Sequence, residues 1–416
     1  MSVAEKKNCF VVTGVSALIG QGIVSSLKFK DDFTIIGVDK KYSEYARKIC
    51  SIFIQKPKTP ENTTEYLDFW AKLIEDFEIP QSQLVAKIKT ARMISPTNRK
   101  VDIPIENGYV GMVDREFFDE YLRERAAKFG AKRFTGTFAK LSKDSEYTKV
   151  NFNNHSTKKV TTLLTRYVIG ADGAKSNVAR DTIKDAHKIP YVIAYHEIIE
   201  APKATSEYNP DRCDVIYNGD ISPDFYGWIF PHGKSASVGM GTGLNSVNLK
   251  KATSDLRNKA GLDKCSTIRK EGAPIPLKPL EKWDNGDNVV LAGDAAGVVA
   301  PSSGEGIYYA MIGGKYAADA VEKCLLKGHS KYLSLARKSF MKEHKAVFQV
   351  LGAMQNAYYR SDDRRERFVT LCKDIDVQRI TFESYMHKKL SRSRPIAHLK
   401  IMFKNIAHLT GMVRAT

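Results

Sequence analysis

A chain of 416 residues, 43% hydrophobic and 27% charged, has room for more than one packed core, which excludes a disordered chain and a small disulfide-stapled module. Six cysteines lie far apart with no CxxC and no Cys/His cluster, so neither a structural zinc site nor a disulfide framework is expected; a reducing, cytoplasmic setting is. The net charge of +18 is concentrated: residues 326–416 carry nineteen Lys/Arg against seven Asp/Glu, whereas residues 1–79 balance eleven against eleven. A basic surface of this kind suits anionic lipid or an acidic partner, its plainer reading being a solvated helical face. No run of 18 apolar residues exists to span a membrane, and MSVAEKKNCFVV does not read as a signal peptide.

Residues 8–79 read as β-α-β followed by helices. NCFVVT is a short apolar strand, residues 14–20 a turn, a helix follows to about Lys28, and FTIIGVD is a second strand ending at Asp39. A GxGxxG fingerprint starting at Gly14 would need glycine where Ser16 and Ile19 stand. The pattern is nearer the T-G-x-x-G-x-x-G of nicotinamide-dependent epimerases, with Thr13, Gly14 and Gly20 in place and Ala17 for the central glycine. Taken whole, VTGVSALIGQGIVSSLK, IIGVD and IFIQKPKTPENTTEYLDFWAKLIE resemble the leading Rossmann-like domain of carbamoyl-phosphate-synthase-like ATP-grasp ligases, whose catalytic body does not follow. Three readings stay open: a non-catalytic domain, a stand-in for a flavin βαβ unit, and a nicotinamide site.

From Phe77 the text changes. ARMISPTNRKVDIPI reads as two short strands about a Pro-Thr-Asn turn. Asp114 reads as the N-cap of a helix carrying Phe118, Leu122 and Ala126 at helical spacing, with Arg115 just inside it, either facing an anion or solvated. Residues 133–170 form a hairpin or crossover sheet with a turn at 153–157, ending in Gly170-Ala171-Asp172-Gly173 and a helix with Ser176, Asn177 and Arg180. Glycines there let amides approach a pyrophosphate, and Asp172 holds either the loop or a ribose hydroxyl.

Residues 190–280 hold strand-like runs separated by turn residues, and a broad antiparallel sheet is expected, with a helix near residues 247–260. Alternation puts Tyr226, Trp228 and Phe230 on one strand face, as a wall for an apolar chain or as ordinary core. The stretch NVVLAGDAAGVVAPSSGEGIYYAMIGG (288–314) joins a buried strand, a loop almost without side chains, and a helix start near Ile307. Asp294, at the strand end, is placed to accept from a polyol hydroxyl, and free N–H groups at the helix start favour an electron-rich partner. In the final segment Ile396, Leu399, Met402, Phe403, Ile406, Leu409 and Val413 share one helical face, with Lys400, Lys404 and His408 opposite. Such a helix lies on a membrane surface or packs on the protein's own core.

The ordered motifs V-x-R-x-x-F-D-x-x-L (113–122), G-A-D-G-x-x-S-x-x-x-R (170–180), P-x-x-Y-x-W-x-F-P (223–231) and GDAAG with P-x-S-G-E-G-I (293–307) resemble the bacteriochlorophyll and chlorophyll branch of the geranylgeranyl reductase family over about residues 77–416. The resemblance implies an α/β, glutathione-reductase-like FAD/NAD(P)-binding fold with an antiparallel substrate-domain sheet and a helical C-terminus, behind an atypical Rossmann-like N-terminal unit. Its expected domains are 1–76, a flavin domain of 77–189 and 281–325, a substrate sheet of 190–280, and a basic helical region of 326–416. It implies FAD and NADPH as cofactors and hydride transfer to isolated C=C bonds of geranylgeranyl diphosphate or of geranylgeranyl-(bacterio)chlorophyll, giving phytyl. FAD would be held by Arg115, Asp172, Gly173, Gly293, Asp294, Pro301, Gly304, Gly306 and Ile307, with Asp294 on the ribitol. The prenyl chain would lie on Tyr226, Trp228 and Phe230. No metal is implied. The catalytic proton donor is unassigned, with Tyr226 and water as candidates. The implied partners are a polyprenyl or prenylated-pigment substrate and a photosynthetic membrane surface, with no nucleic acid.

One departure stands out. The family begins V-G-x-G-P-x-G, followed by an acidic residue, and carries a Pro-Cys-Gly loop, none of which precedes Phe77. Two alternatives follow: a fusion with impaired flavin binding that acts as a membrane-associated protein, or an NAD(P)-dependent reductase using residues 13–20 and Asp39.

Overall fold

The computed structural model describes residues 79–105, 108–128, 131–145 and 147–379, with Phe77 and the backbones of Cys9–Thr13, Thr34–Asp39 and Ile49–Gln55. The turn at 14–20, the helix to Lys28, the segment 56–76 and the amphipathic helix near 396–413 lie outside the described residues. The chain packs as two compact units interleaved in sequence: residues 1–44, 115–191 and 274–345 form the first, and 45–114, 192–273 and 346–416 the second.

The first unit is built on a seven-stranded sheet in the order Val160–Thr165, Tyr147–Asn154, Lys132–Asp144, Thr34–Asp39, Cys9–Thr13, Tyr167–Gly170, Val289–Leu291. The five strands from Lys132–Asp144 to Val289–Leu291 run parallel, and a hairpin adds two antiparallel edge strands. The hairpin turns where Asn154 Oδ1 accepts the Ser156 and Thr157 amides at 2.9 and 3.2 Å. Val168, Ile169, Val290 and Leu291 are fully buried, as expected of parallel strands covered on both faces. Register aligns Thr13 with Gly170 and Gly170 with Leu291, so three adjacent strands end at one edge. The Gly170–Gly173 and Gly293–Gly297 loops leave from that edge, where open α/β sheets bind ligands.

The second unit holds a seven-stranded sheet ordered Thr267–Pro276, Tyr191–Glu200, Ser235–Thr242, Gly227–His232, Arg212–Ile216, Thr90–Ile94, Lys100–Pro104. The pairs with recorded register are antiparallel, save that Arg212–Ile216 runs parallel to Thr90–Ile94. One face packs Ile199, Ile229, Val238 and Met240 against Ala252 and Leu256 of helix Leu249–Lys259. Asn248 starts that helix by accepting the Lys251 amide at 3.1 Å. Near Phe230 the other face meets Ile88, Val110 and Met112 of a three-stranded sheet formed by Ile49–Gln55, Gly108–Asp114 and Leu84–Ile88.

Helix Asp362–Leu371 is fastened to this unit from inside. Arg365, 2% exposed, donates to the carbonyls of Pro223 and Tyr359 and to Asp362, while Glu366 Oε2 accepts from the Thr97 amide and hydroxyl at 3.2 and 2.9 Å. Part of the C-terminal charge is therefore interior. Among the described residues no helix is long and apolar enough to cross a membrane.

His232 makes a pH prediction. It is buried, its Nδ1 donates to the Phe230 carbonyl at 2.9 Å, and its Nε2 has no hydrogen bond among the described residues. Burial pushes its pKa down to about 3, while the unfolded chain takes up the proton near the ordinary 6.5. Its contribution to stability is complete above about pH 6.5 and falls by roughly 1.4 kcal/mol per unit as the pH drops towards 3. Urea midpoints at pH 7 and pH 5 should converge in His232→Asn relative to the parent. Parallel slopes in the two proteins would contradict a buried neutral imidazole.

Candidate flavin site and apolar wall

Strand Val289–Leu291 passes into a tight 3-10 turn at Gly293–Ala296. Gly293 and Gly297 take φ of 63° and 78°, and the Gly297 amide closes the turn on the Asp294 carbonyl at 3.0 Å. Only glycine suits position 297: besides the left-handed φ, a Cβ would collide with the Lys278 carbonyl and Ile189. The turn aims the Asp294 side chain at the start of helix Ile307–Lys327, where a Cβ on Gly306 would lie 3.5 Å from Asp294 Oδ1. Half-buried, the Asp294 carboxylate has no hydrogen-bond partner among the described residues.

The helix it faces is 21 residues long, begins at Gly306 with no side-chain cap, and has no acidic residue in its first turn. The positive end of its dipole is thus not offset by a side-chain cap or a first-turn carboxylate, an arrangement that suits an electron-rich ligand. Leading into it, the loop from Pro301 is closed by Gly304 N to Ala300 O and Ala300 N to Glu305 O, both 2.9 Å, with Gly304 at φ 67°. These glycines leave a backbone-lined cradle beside an unpartnered acceptor.

The neighbouring loop is built for close packing. A Cβ on Gly170 would lie 2.7 Å from Leu291 Cδ2 and 2.8 Å from Val178 Cγ1. Gly170→Ala should therefore cost about 1–3 kcal/mol by overpacking, read as a lower denaturation midpoint. Asp172 Oδ1 accepts the Ser176 hydroxyl at 2.5 Å, and Oδ2 accepts the Asn177 and Val178 amides at 2.8 and 3.2 Å. Of the two roles left open for Asp172, holding the loop is the one these bonds perform. Burial pushes its carboxyl up, opposed by those same donors. Gly173, at φ +83°, has open space where a side chain would stand.

Arg115 opens helix Arg115–Lys128, and Phe118, Leu122 and Ala126 are buried at the expected spacing. Its fork closes on Asp119 one turn on, with Nε and Nη2 at 2.5 and 2.8 Å from the carboxylate. At 12% side-chain exposure this is not a solvated arginine. The i,i+4 spacing of Arg115 and Asp119 was the available signal for the pair.

In the second unit, Tyr226, Trp228 and Phe230 follow one another along a strand face with ring centroids 6.0 and 6.3 Å apart. Tyr226 stacks on Phe225 at 4.4 Å and lies 6.2 Å from Tyr217, which in turn meets Tyr359 and Phe368. Tyr217, Tyr359 and Phe368 come from distant parts of the sequence and carried no signal there.

An uncapped helix start, two glycine loops on one sheet edge and a free carboxylate define an FAD-binding α/β protein, and residues 36–203 match the family model of an FAD binding domain. A crystal structure of a geranylgeranyl bacteriochlorophyll reductase-like protein from Thermoplasma acidophilum has the same fold, with a TM-score of 0.72 over 98% of both chains at 19% identity. The chain belongs to the geranylgeranyl diphosphate reductase family. It is 63% identical over 342 residues to the geranylgeranyl diphosphate reductase of Rhodobacter capsulatus, covering 82% of this chain and 87% of that one. It is 36% identical over 354 residues to the Synechocystis enzyme of the same name, covering 81% and 86%.

Proposed function

We propose that this protein saturates isolated C=C bonds of a geranylgeranyl chain, carried on diphosphate or on (bacterio)chlorophyll, with FAD as its bound cofactor and NADPH as the reductant. The observation that carries this reading is the unpartnered Asp294 carboxylate facing the uncapped start of helix Ile307–Lys327. Asp294 would accept from the ribitol hydroxyls. Gly293, Pro301, Gly304, Gly306 and Ile307 would present backbone to the flavin, and Gly173 and Arg115 would serve the pyrophosphate side. When bound, FAD supplies the two-electron store that links nicotinamide to alkene.

The strand Cys9–Thr13 lies between Thr34–Asp39 and Tyr167–Gly170 in the first sheet, parallel to both, which supports a stand-in for the usual flavin βαβ unit despite the altered glycine pattern. An isolated alkene is a poor hydride acceptor, so the protein must hold it tightly and exclude water. Tyr226, Trp228 and Phe230 supply a wall of the required character. The saturating proton comes from the Tyr226 hydroxyl or from water, and Tyr226→Phe separates the two: loss of a side-chain acid lowers kcat about 10²–10⁴-fold, whereas an unchanged rate assigns the proton to water. The basic charge of residues 326–416 supports peripheral contact with an anionic, photosynthetic membrane.

The test is purified protein given FAD, NADPH and geranylgeranyl diphosphate. Products heavier by pairs of hydrogens are expected, and unaltered substrate from flavin-loaded protein would overturn the reading.

A further inference from the structure

On the sheet face that carries Trp228, four neighbouring strands bring polar side chains into one line. Trp228 Nε1 donates to Ser237 Oγ at 2.9 Å, and Ser237 Oγ lies 2.8 Å from His196 Nδ1. His196 Nε2 lies 3.1 Å from Glu271 Oε2, and Arg269 Nε donates to Glu271 Oε1 at 2.7 Å. Register places Trp228 and His196 on either side of Gly239. A Cβ there would stand 2.6 Å from Trp228 Cζ2, so the missing side chain is what lets the indole and imidazole approach to 6.1 Å between centroids.

The chain has a direction. An indole N–H only donates, so Ser237 Oγ must accept it. Among the described residues the Ser237 hydroxyl then has one acceptor, His196 Nδ1. On its other side His196 Nε2 stands 3.1 Å from Glu271 Oε2, an oxygen with no hydrogen bond among the described residues, so this last link is a close polar contact. Ser237 and Glu271 are 2% and 9% exposed, so the line is an interior one that ends on the half-buried indole. Buried hydrogen bonds that join Trp228, Ser237 and His196 fix those side chains rather than merely solvating them, with Glu271 standing against the far side of the imidazole.

A prenyl chain offers no polar handle, so its register against a reducing centre is set by the shape and stiffness of its walls. We propose that Ser237, His196 and Glu271 are positioning residues: they lock the Trp228 indole and thereby set which double bonds of the chain are reduced. This rests on the reading of Trp228 as a wall of the prenyl site.

The test compares Trp228→Phe, which keeps an aromatic ring but removes the N–H and shortens the ring system, with Ser237→Ala and with the double variant. Two quantities are read: binding of geranylgeranyl diphosphate to the oxidised protein by titration, and the proportions of partially and fully reduced products by mass. Each single change should weaken binding about three- to tenfold, the scale of one lost hydrogen bond, and enrich partially reduced products. The double variant should be no worse than either single, because both act on one element. Additive effects, or a Ser237→Ala product pattern identical to the parent, would overturn the proposal. Trp228→Phe keeps an aromatic ring on the wall and introduces no polar group, so it remains informative where Ser237→Ala unfolds. If Trp228→Ala alters neither quantity, the wall reading fails instead, which is a separate result.

Discussion

Asp294→Ala is expected to give a folded protein that no longer retains flavin. The carboxylate sits where the strand Val289–Leu291 ends, faces an uncapped helix start, and has no hydrogen-bond partner among the described residues. A ligand offering two hydroxyls would make charge-assisted bonds there worth about 1.5–3 kcal/mol each, so their loss weakens FAD binding by roughly 10²-fold or more. The same isolation predicts a small structural penalty. Apart from a helix N-terminal charge term of at most about 1 kcal/mol, the side chain supports nothing in the fold. Flavin-to-protein ratio and the unfolding midpoint of the apoprotein separate these effects. Full flavin occupancy in the variant would show that the cradle, without the carboxylate, suffices.

Arg365→Ala should do the opposite, damaging the fold before any ligand is considered. Its guanidinium is buried, satisfies the carbonyls of Pro223 and Tyr359, and pairs with Asp362, whose Oδ1 also accepts the Gly219 amide at 2.8 Å. Truncation removes the Arg365 donors from two carbonyls and the clasp between helix Asp362–Leu371 and the turn that leads into Trp228. A loss of about 3–5 kcal/mol is expected, seen as a lower urea midpoint for the second unit. Arg365→Lys should recover little, because a single ammonium cannot serve three acceptors spread across a planar fork. Near-parental stability in the lysine variant would show that charge, not geometry, is what the position requires.

Much of the site was legible because its signals are local. Four apolar residues running into Gly293-Asp294, and a proline and glycines before Ile307, describe strand, turn and helix start within one stretch of chain. The Gly170–Gly173 loop was equally readable, although two roles for Asp172 survived until its bonds to Ser176, Asn177 and Val178 were seen. Non-local pairing was not legible. The strand at Cys9–Thr13 could be recognised from its apolar run, yet nothing in that run says that it lies between Thr34–Asp39 and Tyr167–Gly170. The three readings of the first segment stayed open for that reason. The aromatic extension through Tyr217 and Tyr359 was hidden in the same way, since those rings are 142 positions apart and meet only through the fold. Ser237, His196 and Glu271 carry no motif at all. Their alignment is a product of strand register.

The most direct test is an anaerobic one. Protein loaded with FAD and reduced chemically should lose its absorbance near about 450 nm, and adding geranylgeranyl diphosphate should restore it while the prenyl chain gains hydrogen. A band that stays bleached with the substrate unchanged, or protein that takes up no flavin, would contradict an FAD-dependent prenyl reductase.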